Sequence, residues 1–115
     1  MRKDEMVYAK QTTYGLSDRL PENDKRHPDL KKQRRELGFD ETEFWSLELA
    51  VAKFMLPRLK IAKKNNLYPH IGKDLDKMIA AFELICRDEM NTDKEEQAIL
   101  DGLKAFYVRF QALWC

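Results

Sequence analysis

The sequence predicts an all-α protein: a three-helix antiparallel bundle core, preceded by a short basic helix and an irregular N-terminal arm. Three observations support this fold class. Apolar residues recur at three- and four-residue steps in the long segments, capping and turn residues bound those segments, and no segment shows the alternation of a half-buried strand. We assign residues 1–27 to the arm and residues 28–115 to the helical bundle domain.

The N-terminal part separates into the arm and the short helix. Residues 1–27 are polar, with few periodic apolar positions, which favours an irregular segment. A helix should then run over residues 28–37, because Pro28 suits the first helical position and Gly38 suits the residue after the end. The basic residues of this helix are interrupted by acids and lack interleaved aromatics. We therefore favour a solvated face over a phosphate-binding surface.

The central helix is predicted to run from a cap at Asp40 to about Lys64. Glu43 can reach back to the cap residue in a capping box, and Phe39 and Phe44 can form the associated hydrophobic staple. The segment is apolar nearly all round, which is typical of a buried helix. Pro57 lies inside it and should kink it near residues 53–57.

Two further helices should complete the bundle, over residues 72–90 and from Thr92 or Asp93 to the end. Glu95 or Glu96 would complete a capping box at the start of the last helix. Its seam is predicted to consist of Ile99, Leu103, Phe106, Phe110 and Leu113, widened by Leu100, Tyr107 and Trp114. That face is broad enough for a second chain, so we expect a homo-oligomer.

Composition restricts the class of function. Of the 115 residues, 43% are hydrophobic and 36% charged, and the net charge is +1. Balanced charge disfavours nonspecific binding to nucleic acids or membranes. The chain shows no apolar signal region and no uninterrupted membrane-length segment, so we expect it in the cytoplasm. Cys86 and Cys115 should be free thiols there.

The charged residues of the central helix are the best candidates for chemistry. Glu48 lies on an otherwise apolar stripe, and a buried carboxylate satisfied by a neighbour is favoured over a ligand-binding or catalytic one. Ser46, Lys53 and Lys60 are spaced by seven residues, which favours a solvated face. The alternative is that Lys53, Arg58 and Lys60 gather phosphate oxygens.

Enzyme motifs are largely missing from the sequence. It contains no glycine-rich phosphate loop, no nucleophile elbow and no cysteine or histidine pair at metal-ligand spacing. We therefore predict no catalytic residues, no metal site and no cofactor. An enzyme that uses Glu48 as acid or base remains an alternative.

Several motifs resemble a group of small, uncharacterised bacteriophage and prophage helical proteins. The central helix of that group has a W-S-L-D-like start, an A-K-F-like middle and a P-R-L end, followed by a Gly-Tyr-Pro loop and a D-K-M-I-x-A-F-E helix. The matching residues here are 44–48, 52–54, 56–60, 66–69 and 76–83. The resemblance covers about residues 38–114. Two departures are Glu48 in place of Asp and the missing glycine before Tyr68.

The resemblance implies a phage protein that acts in the host cytoplasm by binding. The ligand would be a nucleotide-like immune signal, sequestered as a counter-defence, or a host factor that is blocked. The predicted ligand-binding residues are Trp45, Ser46, Glu48, Lys53 and Arg58. Trp45 would stack on a base, Glu48 would accept from ribose or base, and the cations would meet phosphate. The alternative is a structural or DNA-packaging accessory of the phage.

Overall fold

A computed structural model describes residues 14–87 and 89–114. Every regular element in these residues is helical, which confirms the all-α prediction for the described part of the chain. The α-helices are α1 (His27–Leu37), α2 (Thr42–Trp45), α3 (Leu47–Lys64), α4 (Gly72–Arg87) and α5 (Asp93–Arg109). Short 3-10 helices are Ser17–Arg19, Pro69–Ile71 and Phe110–Ala112. Residues 1–13 of the predicted N-terminal arm lie outside the described residues.

The chain forms two compact units. The first unit ends at Val51 and the second unit begins at Ala52, so the boundary lies within α3. In the first unit, α1 begins with a proline in its first turn, as predicted. It ends at Gly38, whose backbone is left-handed (φ 84°) and whose N–H donates to the carbonyl of Arg34 at 2.9 Å. Glycine adopts this conformation without a Cβ penalty.

The predicted central helix is interrupted at Ser46, which corrects the sequence interpretation of one continuous helix from Asp40. Ser46 has φ −152° and ψ 80°, so α2 stops before it and α3 starts after it. The Ser46 carbonyl accepts from the N–H of Ala50 at 3.1 Å, which is the first helical bond of α3. Serine is a preferred residue at this position before a helix. Helix α3 continues through Pro57. The kink that the sequence analysis expects there stays a prediction.

In the second unit, α4 and α5 pack together with the part of α3 that follows Ala52. The buried core consists of Ala52, Leu59, Leu75, Met78, Phe82 and Ala105. Ion pairs on the surface join α3 to α4 through Lys60–Glu83 at 3.1 Å, and α5 to α4 through Arg109–Asp74 at 2.7 Å. Such exposed pairs contribute little stability, so the apolar core holds these helices together.

Gly102 allows α5 to approach α4 closely. A Cβ atom at this position would lie 2.3 Å from the Ala81 Cβ atom and 2.3 Å from the Lys77 carbonyl oxygen. Both are shorter than any ordinary contact, so only glycine fits the present helix spacing. The buried residues of α5 are Gly102 and Ala105. The predicted seam is confirmed in part: Phe106 and Leu113 are half-buried against the core, whereas Leu103 and Phe110 are exposed.

Local signals account for most helix ends of the second unit, but α4 ends at Arg87 and not at residue 90 as predicted. The predicted capping box is confirmed: Thr92 Oγ1 accepts from the N–H of Glu95, and the Glu95 carboxylate accepts from the N–H of Thr92. The α-helical geometry of α5 stops at Arg109 and a 3-10 turn follows, so the prediction of a helix to the chain end is corrected. No helix in the described residues is both long enough and apolar enough to cross a membrane.

Candidate functional site

Trp45 is the centre of the candidate site in the first unit. It is the last residue of α2, and 46% of it is exposed. The guanidinium carbon of Arg26 lies over its ring, 5.5 Å from the centroid. Arg26 is itself held by the Asp24 carboxylate, to which it donates at 2.9 and 2.8 Å. The π-electrons of the indole attract a cation in this position, so the Arg26 guanidinium occupies one side of the Trp45 ring.

Two further exposed aromatic residues lie close to Trp45 in the sequence, and they contact each other. Phe44 precedes Trp45 in α2, and the Phe39 and Phe44 rings meet edge to face with centroids 5.7 Å apart. This contact confirms the hydrophobic staple predicted from the sequence. Phe39 and Phe44 are also both exposed. We call Arg26, Phe39, Phe44 and Trp45 the aromatic patch.

A buried polar network holds α2 in place. The Asp40 carboxylate is fully buried and accepts from Arg34 Nη1 at 2.5 Å and from the Thr42 N–H at 2.9 Å. The Thr42 hydroxyl donates to the same carboxylate. Burial alone would raise the pKa of Asp40, but the hydrogen bonds from Thr42 and Arg34 outweigh it and lower the pKa. Asp40 therefore stays charged at neutral pH and ties α1 to α2.

The same network anchors the segment before α1. The N–H groups of Leu16 and Ser17 donate to Thr42 Oγ1 at 2.9 and 3.1 Å, and Arg34 donates to Ser17 Oγ at 3.2 Å. A Cβ atom at Gly15 would lie 2.3 Å from Thr42 Oγ1. The prediction of Asp40 as the cap residue is wrong, because α2 begins at Thr42 and its cap position is Glu41. One bond of the predicted capping box is present: the Asp40 N–H donates to the Glu43 carboxylate at 3.3 Å. The Asp40 carboxylate accepts hydrogen bonds from Arg34 and Thr42, and not from the N–H of Glu43 as a capping box requires.

Ser46 and Glu48 lie directly after the aromatic patch. The Ser46 hydroxyl donates to Glu48 Oε1 at 3.4 Å, a long hydrogen bond. Glu48 is exposed, so the interpretation of Glu48 as a buried carboxylate is wrong. The apolar stripe that led to that interpretation was drawn on one continuous helix, and the break at Ser46 separates Trp45 from Glu48.

Lys53 and Arg58 belong to the second unit. Arg58 Nη1 donates to the Phe54 carbonyl at 2.6 Å, and the Arg58 guanidinium carbon lies 3.7 Å from the centroid of the Phe54 ring. Lys53 is half-buried. The five predicted site residues are therefore divided, with three in the first unit and two in the second. The structure joins Ser46 with Glu48, and it joins Trp45 with Arg26, which the sequence analysis did not include in the site.

The second unit also contains open clefts on its surface. One of about 360 Å³ lies at the end of α3 and is lined by residues that include Lys63, Asn66 and Tyr68. Another, of about 700 Å³, is lined by Phe106, Tyr107, Val108, Phe110 and Gln111. Neither Lys53 nor Arg58 lines these two clefts. Within residues 14–87 and 89–114, no three histidine, cysteine or acidic side chains are grouped as a metal site requires.

Comparisons of the chain with protein-family models, with curated proteins and with solved structures gave no match. The resemblance to the phage group stays a prediction that rests on the motifs of the sequence.

Proposed function

We propose that this chain is a non-enzymatic binding protein of a bacteriophage, that it acts in the host cytoplasm, and that it binds a host protein through the aromatic patch. The observation that carries the proposal is the exposed indole of Trp45 beneath the Arg26 guanidinium, 5.5 Å away. Tryptophan and arginine are enriched among the residues that dominate binding energy at protein interfaces.

The openness of the patch favours a protein partner over a small ligand. Small-molecule sites are concave and bury most of the ligand surface. Phe39, Phe44 and Trp45 are instead exposed. The buried Arg34–Asp40 pair fixes the helix that carries the patch, so the partner would meet a preorganised surface. Preorganisation limits the ordering cost of association.

A nucleotide-like anionic ligand is the second candidate. Trp45 offers an exposed ring for stacking, and Ser46 and Glu48 next to it offer a hydroxyl and a carboxylate. The phosphate contacts that the sequence analysis assigns to Lys53 and Arg58 stay a prediction. The present contacts of Arg58 with Phe54 would then have to be exchanged for contacts with the ligand.

The environment of Glu48 speaks against the alternative of an enzyme. Catalytic carboxylates are usually prepared by burial or by a close charged partner. Glu48 is exposed, and its hydrogen bond from Ser46 is long. A structural or DNA-packaging role in the phage remains an alternative, and it would use self-association.

The proposal keeps two finer predictions about the scaffold. One is the antiparallel order of the three long helices, supported by Arg109 at the end of α5 pairing with Asp74 at the start of α4. The other is that the chain is a homo-oligomer. Neither is required for the aromatic patch to bind a partner.

The test compares the wild type with Trp45→Ala. Host proteins retained by the wild type are identified, purified and titrated calorimetrically against both proteins. Loss of a central interface tryptophan should weaken binding at least tenfold, which equals about 1.4 kcal/mol. Leu67→Ala is the control, because Leu67 is also exposed but lies in the second unit. It should leave the affinity unchanged.

A parallel thermal-shift panel of cyclic and linear nucleotides separates the two candidates. A nucleotide that raises the melting temperature of the wild type but not of Trp45→Ala would replace the protein partner by the small ligand. If Trp45→Ala binds every partner and nucleotide as the wild type does, the aromatic patch is not the binding surface.

A further inference from the structure

Five apolar side chains of α5 and the residues after it form a regular exposed series. They are Leu100, Leu103, Tyr107, Phe110 and Trp114, and we call them the α5 stripe. Within α5, Leu100, Leu103 and Tyr107 have the three- and four-residue spacing of helices that pair along a seam. Phe110 and Trp114 follow the end of the α-helix. Exposure ranges from 38% at Leu103 to 83% at Tyr107.

The α5 stripe points away from the core that α5 already serves. At about 100° per residue, Tyr107 lies roughly 140° from Gly102 and roughly 160° from Ala105 around the helix. Gly102 and Ala105 are the buried residues of α5. The side of α5 that carries Leu100 and Tyr107 is therefore an exposed apolar surface that packing within the second unit does not cover.

The exposed area of the α5 stripe makes up much of what a stable dimer requires. With about 150–250 Å² for an aromatic side chain, the exposed fractions of Tyr107, Phe110 and Trp114 amount to about 330–550 Å² per chain, and Leu100 and Leu103 add to this area. A standard protein interface buries about 800 Å² on each partner, whereas monomers rarely expose a contiguous apolar patch of more than a few hundred Å².

The charges beside the α5 stripe permit two copies to meet. The α5 stripe itself carries no charged member, but Glu96 continues its line four residues before Leu100. One edge of the stripe is polar and consists of Gln97, Lys104 and Gln111. In a two-fold pairing centred on Tyr107, each Lys104 lies three residues from the centre, in opposite directions. The two ammonium groups are then about 9 Å apart along the helix axis, a distance at which salt screens much of the repulsion.

The α5 stripe also borders a cleft. The 700 Å³ cleft is lined by Phe106, Tyr107, Val108, Phe110 and Gln111. A two-fold interface brings the same patch of each chain together, so the central residue of each chain meets the cleft of the other. We propose that the α5 stripe is the antiparallel interface of a homodimer centred on Tyr107, with the partner's Tyr107 against this cleft.

The inference shares with the proposed function only the expectation of a homo-oligomer, and the aromatic patch of the first unit plays no part in it.

The first test measures the mass of the full chain by sedimentation equilibrium from 1 to about 100 μM, a range that detects standard interfaces. The wild type should be a dimer and Tyr107→Lys a monomer with the same helical content by circular dichroism. Ile61→Lys, at another exposed apolar residue, should stay dimeric.

A cross-linking test fixes the centre of the interface without weakening it. In a background with Cys86→Ala and Cys115→Ser, Tyr107→Cys should form a disulfide-linked dimer under mild oxidation, because residue 107 faces its own copy. Ile61→Cys should form none. A monomeric wild type, a dimer that survives Tyr107→Lys, or cross-linking at residue 61 in place of 107 would overturn the inference. None of these results depends on Trp45 or on a ligand, so the proposed function is tested separately.

Discussion

Replacing Asp40 by asparagine should destabilise the first unit strongly, because it removes the negative partner of a buried ion pair. The Asp40 side chain is fully buried, and Arg34 is only 13% exposed. Removing one partner of such a pair costs about 3–5 kcal/mol, since the remaining charge stays buried without compensation. We expect a loss in that range.

The size of the loss follows from the contacts of the two oxygens. The asparagine oxygen can still accept from the Thr42 N–H and hydroxyl in place of Oδ1. The amide nitrogen would replace Oδ2, which now accepts from Arg34 Nη1 at 2.5 Å, so two donors would face each other. The variant therefore keeps the turn and loses the ion pair.

The assay is urea unfolding followed by fluorescence in a Trp114→Phe background, so that Trp45 alone reports on the first unit. Asp24→Asn is the matched control, because Asp24 also pairs with an arginine but at the surface. The Arg26 side chain is 54% exposed, so water can solvate its charge once the carboxylate is lost, and the control should change the free energy of unfolding far less.

The pH dependence provides an independent check with a defined sign. The pKa of Asp40 is lowered in the folded state from its usual value of 3.8. Its stabilising effect is therefore fully present above about pH 3.8 and is lost as the pH falls through the folded-state pKa. The difference in free energy of unfolding between wild type and Asp40→Asn should shrink only below that value.

Two results would refute this reasoning. One is an Asp40→Asn variant as stable as Asp24→Asn, which would mean that the ion pair adds nothing. The other is a difference from wild type that stays constant from pH 7 to pH 2. A cycle with Arg34→Met should show coupling, with the double variant less destabilised than the sum of the single ones.

Three further predictions concern the second unit. Gly102→Ala should lower the free energy of unfolding of the second unit by about 1–3 kcal/mol, because the added methyl group overpacks the contact with α4. Gly72→Ala should leave it unchanged, because a Cβ atom at residue 72 meets open space. Urea unfolding followed by circular dichroism measures both variants. Thr92→Ala should cost about 1 kcal/mol by removing the capping box of α5, and the same assay applies. Burial raises the pKa of the Cys86 thiol against the opposing influence of nearby lysines, so alkylation of a Cys115→Ser variant should require a higher pH than alkylation of free cysteine.

Local signals explain why much of the helix pattern could be predicted from the sequence. Gly38 and the Thr92–Glu95 pair end and begin helices through contacts within three or four residues, and both were predicted correctly. The break at Ser46 was missed because the apolar pattern continues on both sides of it. Serine before an apolar run was a usable signal, but the expectation of one continuous helix concealed it.

Long-range contacts could not be predicted in the same way. The Leu16 N–H donates a hydrogen bond to the Thr42 hydroxyl oxygen, 26 residues later in the chain, and no spacing rule predicts that pair. The position of Arg26 over Trp45 likewise depends on how α1 meets α2. The sequence analysis also expected the nearly all-apolar central helix to be buried, yet Phe54 and Ile61 are exposed. Apolar pattern identifies faces that need a partner, and it does not say whether the partner belongs to the same chain.

The central claim is that the aromatic patch binds a partner, and the indole N–H signal of Trp45 in an NMR spectrum tests it most directly. The sequence contains two tryptophans, so two such signals are expected and Trp114→Phe assigns them. Adding the captured partner should shift or broaden the Trp45 signal and leave the Trp114 signal in place. A bound complex in which the Trp45 signal is unchanged would contradict the account.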